Sequence, residues 1–130
     1  MSETSDILLF QVGVRIFATP VRDAIRIGSV RDVPADTLIL DSSLGRPYSR
    51  ERGIVVATPD EHLERTLVID EVLGVRTILD VELRPLPPFA AACLPGGAVT
   101  GFVLLDESPM PLVDLPTVVR ERLARPNPRI

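Results

Sequence analysis

The sequence lacks lysine and tryptophan altogether, and it contains one cysteine and one histidine among 130 residues. All 14 basic residues are therefore arginine, and 18 acidic residues bring the net charge to −4. Nucleic-acid binding is not expected, because clustered basic side chains supply most of that affinity and no basic stripe is present. The single cysteine, Cys93, permits no intramolecular disulfide, which indicates a reducing compartment such as the cytoplasm.

The sequence also lacks a recognisable set of catalytic or metal-binding residues. His62 is expected in a charged turn, and Cys93 follows three alanines without a cationic neighbour in sequence to activate its thiol. Asp70 and Glu71 are adjacent in sequence, and because adjacent residues on a strand point to opposite faces, their side chains do not share a site. One histidine and one cysteine give no metal-ligand spacing. We therefore expect no cofactor, no metal and no enzymatic activity.

Aliphatic side chains make up most of the apolar content. Hydrophobic residues account for 45% of the chain and aromatic residues for only 4%, and the β-branched share favours strands. The 13 prolines and 8 glycines indicate many short elements joined by turns. The composition predicts an all-β protein.

One uncharged stretch, Pro85 to Leu105, is long enough to be tested as a membrane span. It contains four prolines and three glycines, which a lipid-exposed helix could not accommodate. We expect a loop followed by a buried strand. The acidic N-terminus lacks a signal-peptide pattern, and the length suits one domain. The prediction is a single soluble, cytoplasmic domain, residues 1–130, that does not insert into membranes.

The first third of the chain predicts a hairpin and a short helix. Ile7 to Val12 and Val14 to Ala18 are apolar runs that flank Gly13, a turn residue. Thr19-Pro20 is typical of a helix start, with a hydroxyl cap followed by proline at the first helical position. The predicted helix spans Pro20 to Ile27 and ends at the glycine that follows.

The rest of the chain predicts further strands, an exposed loop and a terminal helix. The predicted strands are Leu38 to Leu40, Gly53 to Thr58, Arg65 to Ile69, Val99 to Leu105 and Pro111 to Asp114. The arginine-rich segment Asp41 to Arg52 is polar and contains glycine and proline, so an exposed loop is expected there. Asp114 is placed to cap a C-terminal helix. The apolar face of that helix comprises Leu115, Val118, Val119 and Leu123.

Four segments of the second half follow one another in a distinctive order and spacing. They are Val68-Ile69-Asp70-Glu71-Val72, Leu83-Arg84-Pro85-Leu86-Pro87-Pro88-Phe89, Thr100-Gly101-Phe102-Val103-Leu104-Leu105 and Met110-Pro111-Leu112-Val113-Asp114-Leu115. This order resembles the C-terminal half of the CheW chemotaxis adaptors, and Leu9-Phe10-Gln11-Val12-Gly13 resembles their opening strand and turn. The resemblance implies a pair of small SH3-like β-barrels, with a short helix after the first hairpin and a helix at the C-terminus.

The sequence departs from this family in its first half. Arg26 stands where the family helix carries an acidic residue near its receptor contact. A further strand and an Asn-Leu-Arg-Gly turn have no counterpart, because Val30 to Pro34 leads almost directly to Thr37 to Asp41. The resemblance therefore implies a truncated member with one incomplete barrel. An open strand edge invites pairing with another chain, so self-association is a candidate interaction.

Members of the family hold a sensor kinase against chemoreceptor tips and have no chemistry of their own. The resemblance implies a non-enzymatic adaptor, a scaffold of a bacterial chemosensory array. Its first partner would be the cytoplasmic tip of a methyl-accepting chemoreceptor, a helical hairpin suited to an apolar groove. Because the turn is missing, docking to the CheA-type histidine kinase is expected to be weakened or lost. The groove would be bordered by Val21, Ala24, Arg26, Ile27, Leu38, Leu40, Val72 and Val75, although each apolar member taken singly fits a plain core role equally well.

Two other interpretations fit the same residues. The protein could be a complete adaptor that still bridges receptor and kinase, with the Asp41 to Arg52 loop replacing the lost turn. In a different class, it could be a small β-barrel enzyme or ligand-binding subunit that shares only strand order with CheW. That interpretation requires a closed, polar pocket and a role for Cys93 or His62.

Overall fold

A computed structural model of the chain describes residues 3–32, 38–40, 44–58, 63–80, 83–85 and 98–124. The strands are β1 (Thr4–Val12), β2 (Arg15–Pro20), β3 (Arg26–Ser29), β4 (Leu38–Leu40), β5 (Arg52–Thr58), β6 (Leu63–Ile69), β7 (Glu71–Leu79), β8 (Leu83–Pro85), β9 (Val99–Leu105) and β10 (Ser108–Val113). The helix α1 spans Leu115–Ala124, and 3₁₀ turns span Val21–Asp23 and Val30–Asp32. Within these ranges no helix has the length and apolar character needed to cross a membrane.

The strands form two sheets. The six-stranded sheet has the order β7-β1-β2-β10-β9-β8, and the four-stranded sheet has the order β3-β5-β6-β4. Neighbouring strands are antiparallel except β2 with β10 and β4 with β6, which are parallel. Among the described strands, β3 and β4 are the edges of the four-stranded sheet, and no pairing closes that sheet into a barrel. The all-β fold predicted from the sequence is confirmed.

Tight hairpins form where the sequence supplies turn residues. The β1–β2 hairpin turns through Gly13 and Val14, and Gly13 has a φ of +62°, which glycine adopts without strain. The β9–β10 hairpin turns through Asp106 and Glu107, with φ values of +50° and +66°, as two-residue hairpin turns require. Because this turn is so short, β10 begins at Ser108, earlier than predicted. β5 and β6, which cover the two predicted strands Gly53 to Thr58 and Arg65 to Ile69, pair antiparallel as a further hairpin.

The segment after the first hairpin differs from the prediction. The short helix is present only as the 3₁₀ turn Val21–Asp23, and its predicted continuation to Ile27 is wrong because Arg26–Ser29 forms strand β3. β3 pairs antiparallel with β5 and places Arg26 opposite Val55. Pairing with a strand distant in sequence thus outweighs the local helix signal.

Thr19, which the sequence suggested as a helix cap, links two strands instead. Its side chain is buried, and its hydroxyl donates to the carbonyl of Val113 at 2.9 Å. This bond lies beside the parallel pairing of β2 with β10, where Ala18 is opposite Leu112. The predicted cap is therefore wrong, and the 3₁₀ turn begins after Pro20 without a side-chain cap.

An apolar core joins the two sheets and the helix. The first core cluster contains Leu8, Phe10, Val12, Phe17, Leu44, Ile54, Val56, Leu67, Ile69, Ala98, Val113, Leu115, Val118 and Val119. Phe10 and Phe17 stack within it, with ring centroids 5.8 Å apart. Burial of the three α1 residues confirms the predicted apolar face, while the side chain of Leu123 lies outside the described part. A second cluster within the six-stranded sheet contains Ile7, Ala18, Ile78, Val103 and Leu105.

The segment predicted as an exposed loop is exposed only in part. Leu44 is 8% exposed and belongs to the first core cluster, and Pro47 is buried as well. Residues 45, 46 and 48–51 are exposed, while residues 41–43 lie outside the described ranges. Leu44 therefore attaches this segment to the core, and its outer residues face solvent.

Candidate partner-binding surface

Three of the eight predicted groove residues pack against the core that joins the two sheets. Val21 in the 3₁₀ turn, Ala24 just after it and Val72 in β7 are partly buried and contact the first core cluster. The fold thus brings two distant parts of the sequence to the rim of one core. Each of these residues contributes to packing and remains partly exposed to solvent.

Strand β3 carries two more of these residues at an edge of the four-stranded sheet. Ile27 is 43% exposed, as is its neighbour Ile25, which the sequence analysis did not single out. The Nη2 of Arg26 donates to Oε2 of Glu64 at 2.9 Å, and both side chains are largely exposed. Such a surface ion pair contributes little stability, but it spans β5 from β3 to β6 and partly neutralises Arg26.

The remaining predicted residues lie on other edge strands. Val75 is on β7, at one edge of the six-stranded sheet, and is 58% exposed. Leu73 and Leu79 on the same strand are also exposed, at 43% and 41%. Leu38 and Leu40 lie on β4, opposite residues of β6, and their side chains are outside the described structure. Exposed apolar side chains therefore occur on β3 and on β7, and a single groove lined by all eight residues stays a prediction.

Asp70, which we did not assign to a site from the sequence, lies at the corner where β6 of one sheet gives way to β7 of the other. Its Oδ2 accepts from the backbone N–H of Gly13 at 2.5 Å, and its Oδ1 accepts from those of Tyr48 and Ser49 at 2.6 and 2.7 Å. Its own N–H donates to the carbonyl of Gln11 at 2.9 Å. One carboxylate therefore ties the first hairpin turn and residues 48–49 to the corner between the sheets.

The hydrogen bonds favour the ionised form of Asp70. Burial is the largest single influence and raises the pKa, but the backbone donors of Ser49, Gly13 and Tyr48, with the Ser49 hydroxyl, together hold the pKa of Asp70 below its usual value. The charged carboxylate fixes the backbone at Tyr48, whose side chain is 71% exposed. Sequence reasoning missed this junction because its donors lie 57, 22 and 21 residues away from Asp70.

A cleft of about 670 Å³ opens beside the first 3₁₀ turn. It is lined by Thr4, Ser5, Asp6, Ile7, Pro20, Val21, Arg22, Asp23, Leu83, Thr100, Leu112, Val113 and Asp114. Of the predicted groove residues whose side chains the structure describes, only Val21 lines it. Burial, followed by repulsion from Asp114, raises the pKa of Asp23, and Arg22 partly offsets the rise. The cleft therefore has an acidic rim, where the charged form of Asp23 is less favourable than it would be in water.

No group of three or more His, Cys, Asp or Glu residues is placed to hold a metal ion in the part of the chain that the structure describes. His62 and Cys93 both lie outside that part. The expectation that neither residue takes part in catalysis or metal binding therefore stays a prediction.

No family model matches the sequence. The Frizzy aggregation protein FrzB of Myxococcus xanthus is 33% identical over 115 residues, which cover 88% of this chain and 95% of FrzB. The fold is similar to that of the scaffolding protein TtCheW from Thermoanaerobacter tengcongensis, with a TM-score of 0.67, 16% identity and coverage of 87% of this chain and 86% of that one. The chain belongs to the CheW-like family of chemotaxis adaptors.

Proposed function

We propose that the protein is a non-enzymatic adaptor of a bacterial chemosensory array, which binds the cytoplasmic tip of a methyl-accepting chemoreceptor. The observation that carries this proposal is the similarity to FrzB along 88% of the chain. A CheW-like fold, shared with a protein named as a scaffold, supports it. Exposed apolar side chains on edge strands supply a surface of the kind that a scaffold needs.

The proposed receptor-binding surface comprises Val21, Ala24 and Val72, which pack against the first core cluster, together with the exposed Ile27 on β3 and Val75 on β7. A receptor tip is a helical hairpin, and the apolar stripe of one of its helices would cover such side chains. A few central anchors would supply most of the binding energy, and charged residues at the rim would tune partner choice.

The proposal includes weakened docking to the CheA-type histidine kinase. The chain passes from the 3₁₀ turn Val30–Asp32 to β4 at Leu38 without the Asn-Leu-Arg-Gly turn that the family resemblance leads us to expect. This sequence has no segment equivalent to that turn, so the contact that the turn would make is missing. We expect the loss of this turn to affect the kinase more than the receptor, because apolar residues proposed to contact the receptor, such as Val21, Ile27 and Val75, are retained.

A complete adaptor that binds both partners is the second candidate, and the geometry around Tyr48 favours it. Tyr48 and Ser49 are held by Asp70 at 2.6 and 2.7 Å, and the Tyr48 side chain is 71% exposed. An exposed aromatic ring on an anchored backbone is typical of a binding anchor. This segment could replace the contact that the missing turn would make.

Separate binding assays of the purified protein with a receptor signalling domain and with the kinase regulatory domain test the proposal. We expect clear receptor binding, together with kinase binding that is weaker than that of an adaptor carrying the turn. Kinase binding of equal strength selects the complete adaptor, and Tyr48→Ala should then weaken kinase binding alone. Absence of receptor binding refutes the proposed function.

The receptor surface itself is tested with a pair of matched variants. Ile27→Asp introduces a charge at an exposed apolar position of β3 and should weaken receptor binding about tenfold or more, as expected for a contact residue. Val14→Asp is the control, because Val14 is 79% exposed on the first hairpin turn and lies outside the proposed surface; its effect should stay within about twofold. Equal effects of the two variants would show that the surface is assigned wrongly.

A further inference from the structure

The outer edge of β7 pairs with no other strand in the part of the chain that the structure describes. β7 is the terminal strand of the six-stranded sheet and pairs with β1 on one side; its other side has no partner among the described strands. Leu73, Val75 and Leu79 on this strand are all more than 40% exposed. An unpaired edge that carries apolar side chains is a template for strand addition.

A β-bulge gives this edge an irregular pattern. Across β1, Leu9 is opposite Gly74 and Phe10 is opposite Val72, so Leu73 is an extra residue with no partner of its own. A regular strand added at the outer edge would fall out of phase with β7 where it passes Leu73. The bulge therefore disfavours pairing with a regular strand that lacks a bulge. Edge strands use such bulges to avoid unwanted pairing.

The bulge also decides which side chains share a face of the sheet. Val72 and Val75 both lie opposite β1 residues of the first core cluster, so they share one face although they are three positions apart. Glu71 and Arg76 lie opposite β1 residues of the other face and share that face. A partner strand matches this pattern only if it has the same irregular spacing.

A second copy of the chain has that spacing, and we propose that two copies pair antiparallel through β7. The register places Glu71 of one copy opposite Arg76 of the other and Val72 opposite Val75. The bulge of one copy then lies opposite the bulge of the other. On both sides of the paired bulges, residues that are opposite each other lie on the same face of the joined sheet. The pairing has two-fold symmetry, so each contact occurs twice.

Charge favours this register over two others, which are centred on Arg76 and on Thr77. Two Glu71–Arg76 pairs form across the two-fold axis, and opposite charges that face each other across strands are favourable. Centring the pair on Arg76 would instead place two arginines opposite each other, and centring it on Thr77 would place Arg76 opposite Ile78. Arg76 is free to re-pair at little cost, because its present contact with Asp106 is 3.8 Å long and exposed.

Dimerisation also covers Val72 and Val75, which belong to the proposed receptor surface. Self-pairing and receptor binding should therefore compete, a consequence that rests on the proposed function, whereas the dimer itself does not. A variant that cannot dimerise should bind the receptor at least as tightly as the unmodified protein. A protein that is monomeric at every concentration and still binds the receptor overturns the dimer and leaves the adaptor proposal intact.

Charge reversal with sedimentation analysis of the full chain tests the dimer. Glu71→Arg or Arg76→Glu alone should raise the dimer dissociation constant about tenfold or more, and the double reversal should restore it to within about threefold, because the pairs are re-formed with opposite sign. Glu51→Arg changes the same charge on an exposed residue away from β7 and should have no effect. Circular dichroism checks that each variant is folded. A monomeric wild-type protein, or a dimer indifferent to both reversals, overturns the inference.

Disulfide cross-linking tests the register. In a Cys93→Ser background, Val72→Cys and Val75→Cys proteins should cross-link when mixed, because directly opposite residues on paired strands lie within disulfide reach. Neither protein should cross-link efficiently alone. Self-cross-linking of Thr77→Cys in place of the mixed product would show pairing centred on Thr77 and would overturn the proposed register.

Discussion

At Asp70, one carboxylate accepts hydrogen bonds from the backbone N–H groups of Gly13, Tyr48 and Ser49. Bonds to a charged acceptor are stronger than bonds between neutral groups. The three donors come from two segments that the sequence alone does not connect. Asp70 therefore holds the corner between the sheets and also presents the exposed Tyr48 in a fixed place.

Asp70→Asn should destabilise the fold by about 1.5–3 kcal/mol, the range for hydrogen bonds to a charged group. The amide keeps only one carbonyl oxygen, so its NH₂ group must face one of the backbone N–H donors. Urea denaturation at neutral pH measures the change. Glu51→Gln, which neutralises an exposed carboxylate of the neighbouring loop, is the control and should leave the free energy of unfolding unchanged. A variant as stable as the wild type would mean that these bonds contribute nothing.

The pH dependence of stability gives a second test of the same residue. The folded-state pKa of Asp70 is depressed, so its contribution is fully present above the unfolded-state value near 3.8 and is lost as the pH falls through the lower folded-state value. Stability of the wild type should therefore decline on acidification in this range. The decline should be shallower in Asp70→Asn, and unchanged in Glu51→Gln. Parallel curves for the wild type and Asp70→Asn would contradict the assignment.

Among the elements, those with local signals were predicted and those fixed by distant contacts were not. The β1–β2 and β5–β6 hairpins and α1 follow from turn residues, apolar runs and an N-terminal aspartate that are adjacent in sequence. β3 was missed, because Thr19-Pro20 favours a helix locally whereas pairing with β5 determines the strand. The sequence did contain one sign of this strand, because the apolar residues Ile25 and Ile27 alternate with the charged Arg26.

The pairing of β8 with β9 depends on a glycine. A Cβ at Gly101 would lie 2.2 Å from the backbone oxygen of Arg84, and backbone atoms cannot rotate away. Gly101→Ala should therefore push β8 from β9 and cost about 1–3 kcal/mol, the usual range for overpacking. Gly28→Ala on β3 is the matched control, because its Cβ would meet nothing within 4 Å. Urea denaturation of both should show a loss only for Gly101→Ala; equal stability would contradict the close approach.

At the scale of the whole molecule, an apolar core joins two sheets whose end strands have no further partner among the described strands. The proposed functions use surfaces on and near these end strands. The resemblance identified the family and the fold, because both depend on the order and spacing of many segments. It could not show which residues are exposed: Val21, Ala24 and Val72 pack against the core, whereas Ile27 and Val75 face solvent. Exposure depends on which strands end a sheet, and pairing between distant strands decides that.

The central claim is that this scaffold binds a receptor tip through the surface around the first 3₁₀ turn, β3 and the start of β7. Hydrogen–deuterium exchange of the full chain, with and without saturating receptor signalling domain, tests it most directly, and the Glu71→Arg protein removes any contribution from self-pairing. We predict slowed exchange in residues 21–27 and 72–75, with no change at the turn formed by Gly13 and Val14. Saturating receptor that leaves exchange in both segments unchanged would contradict the account.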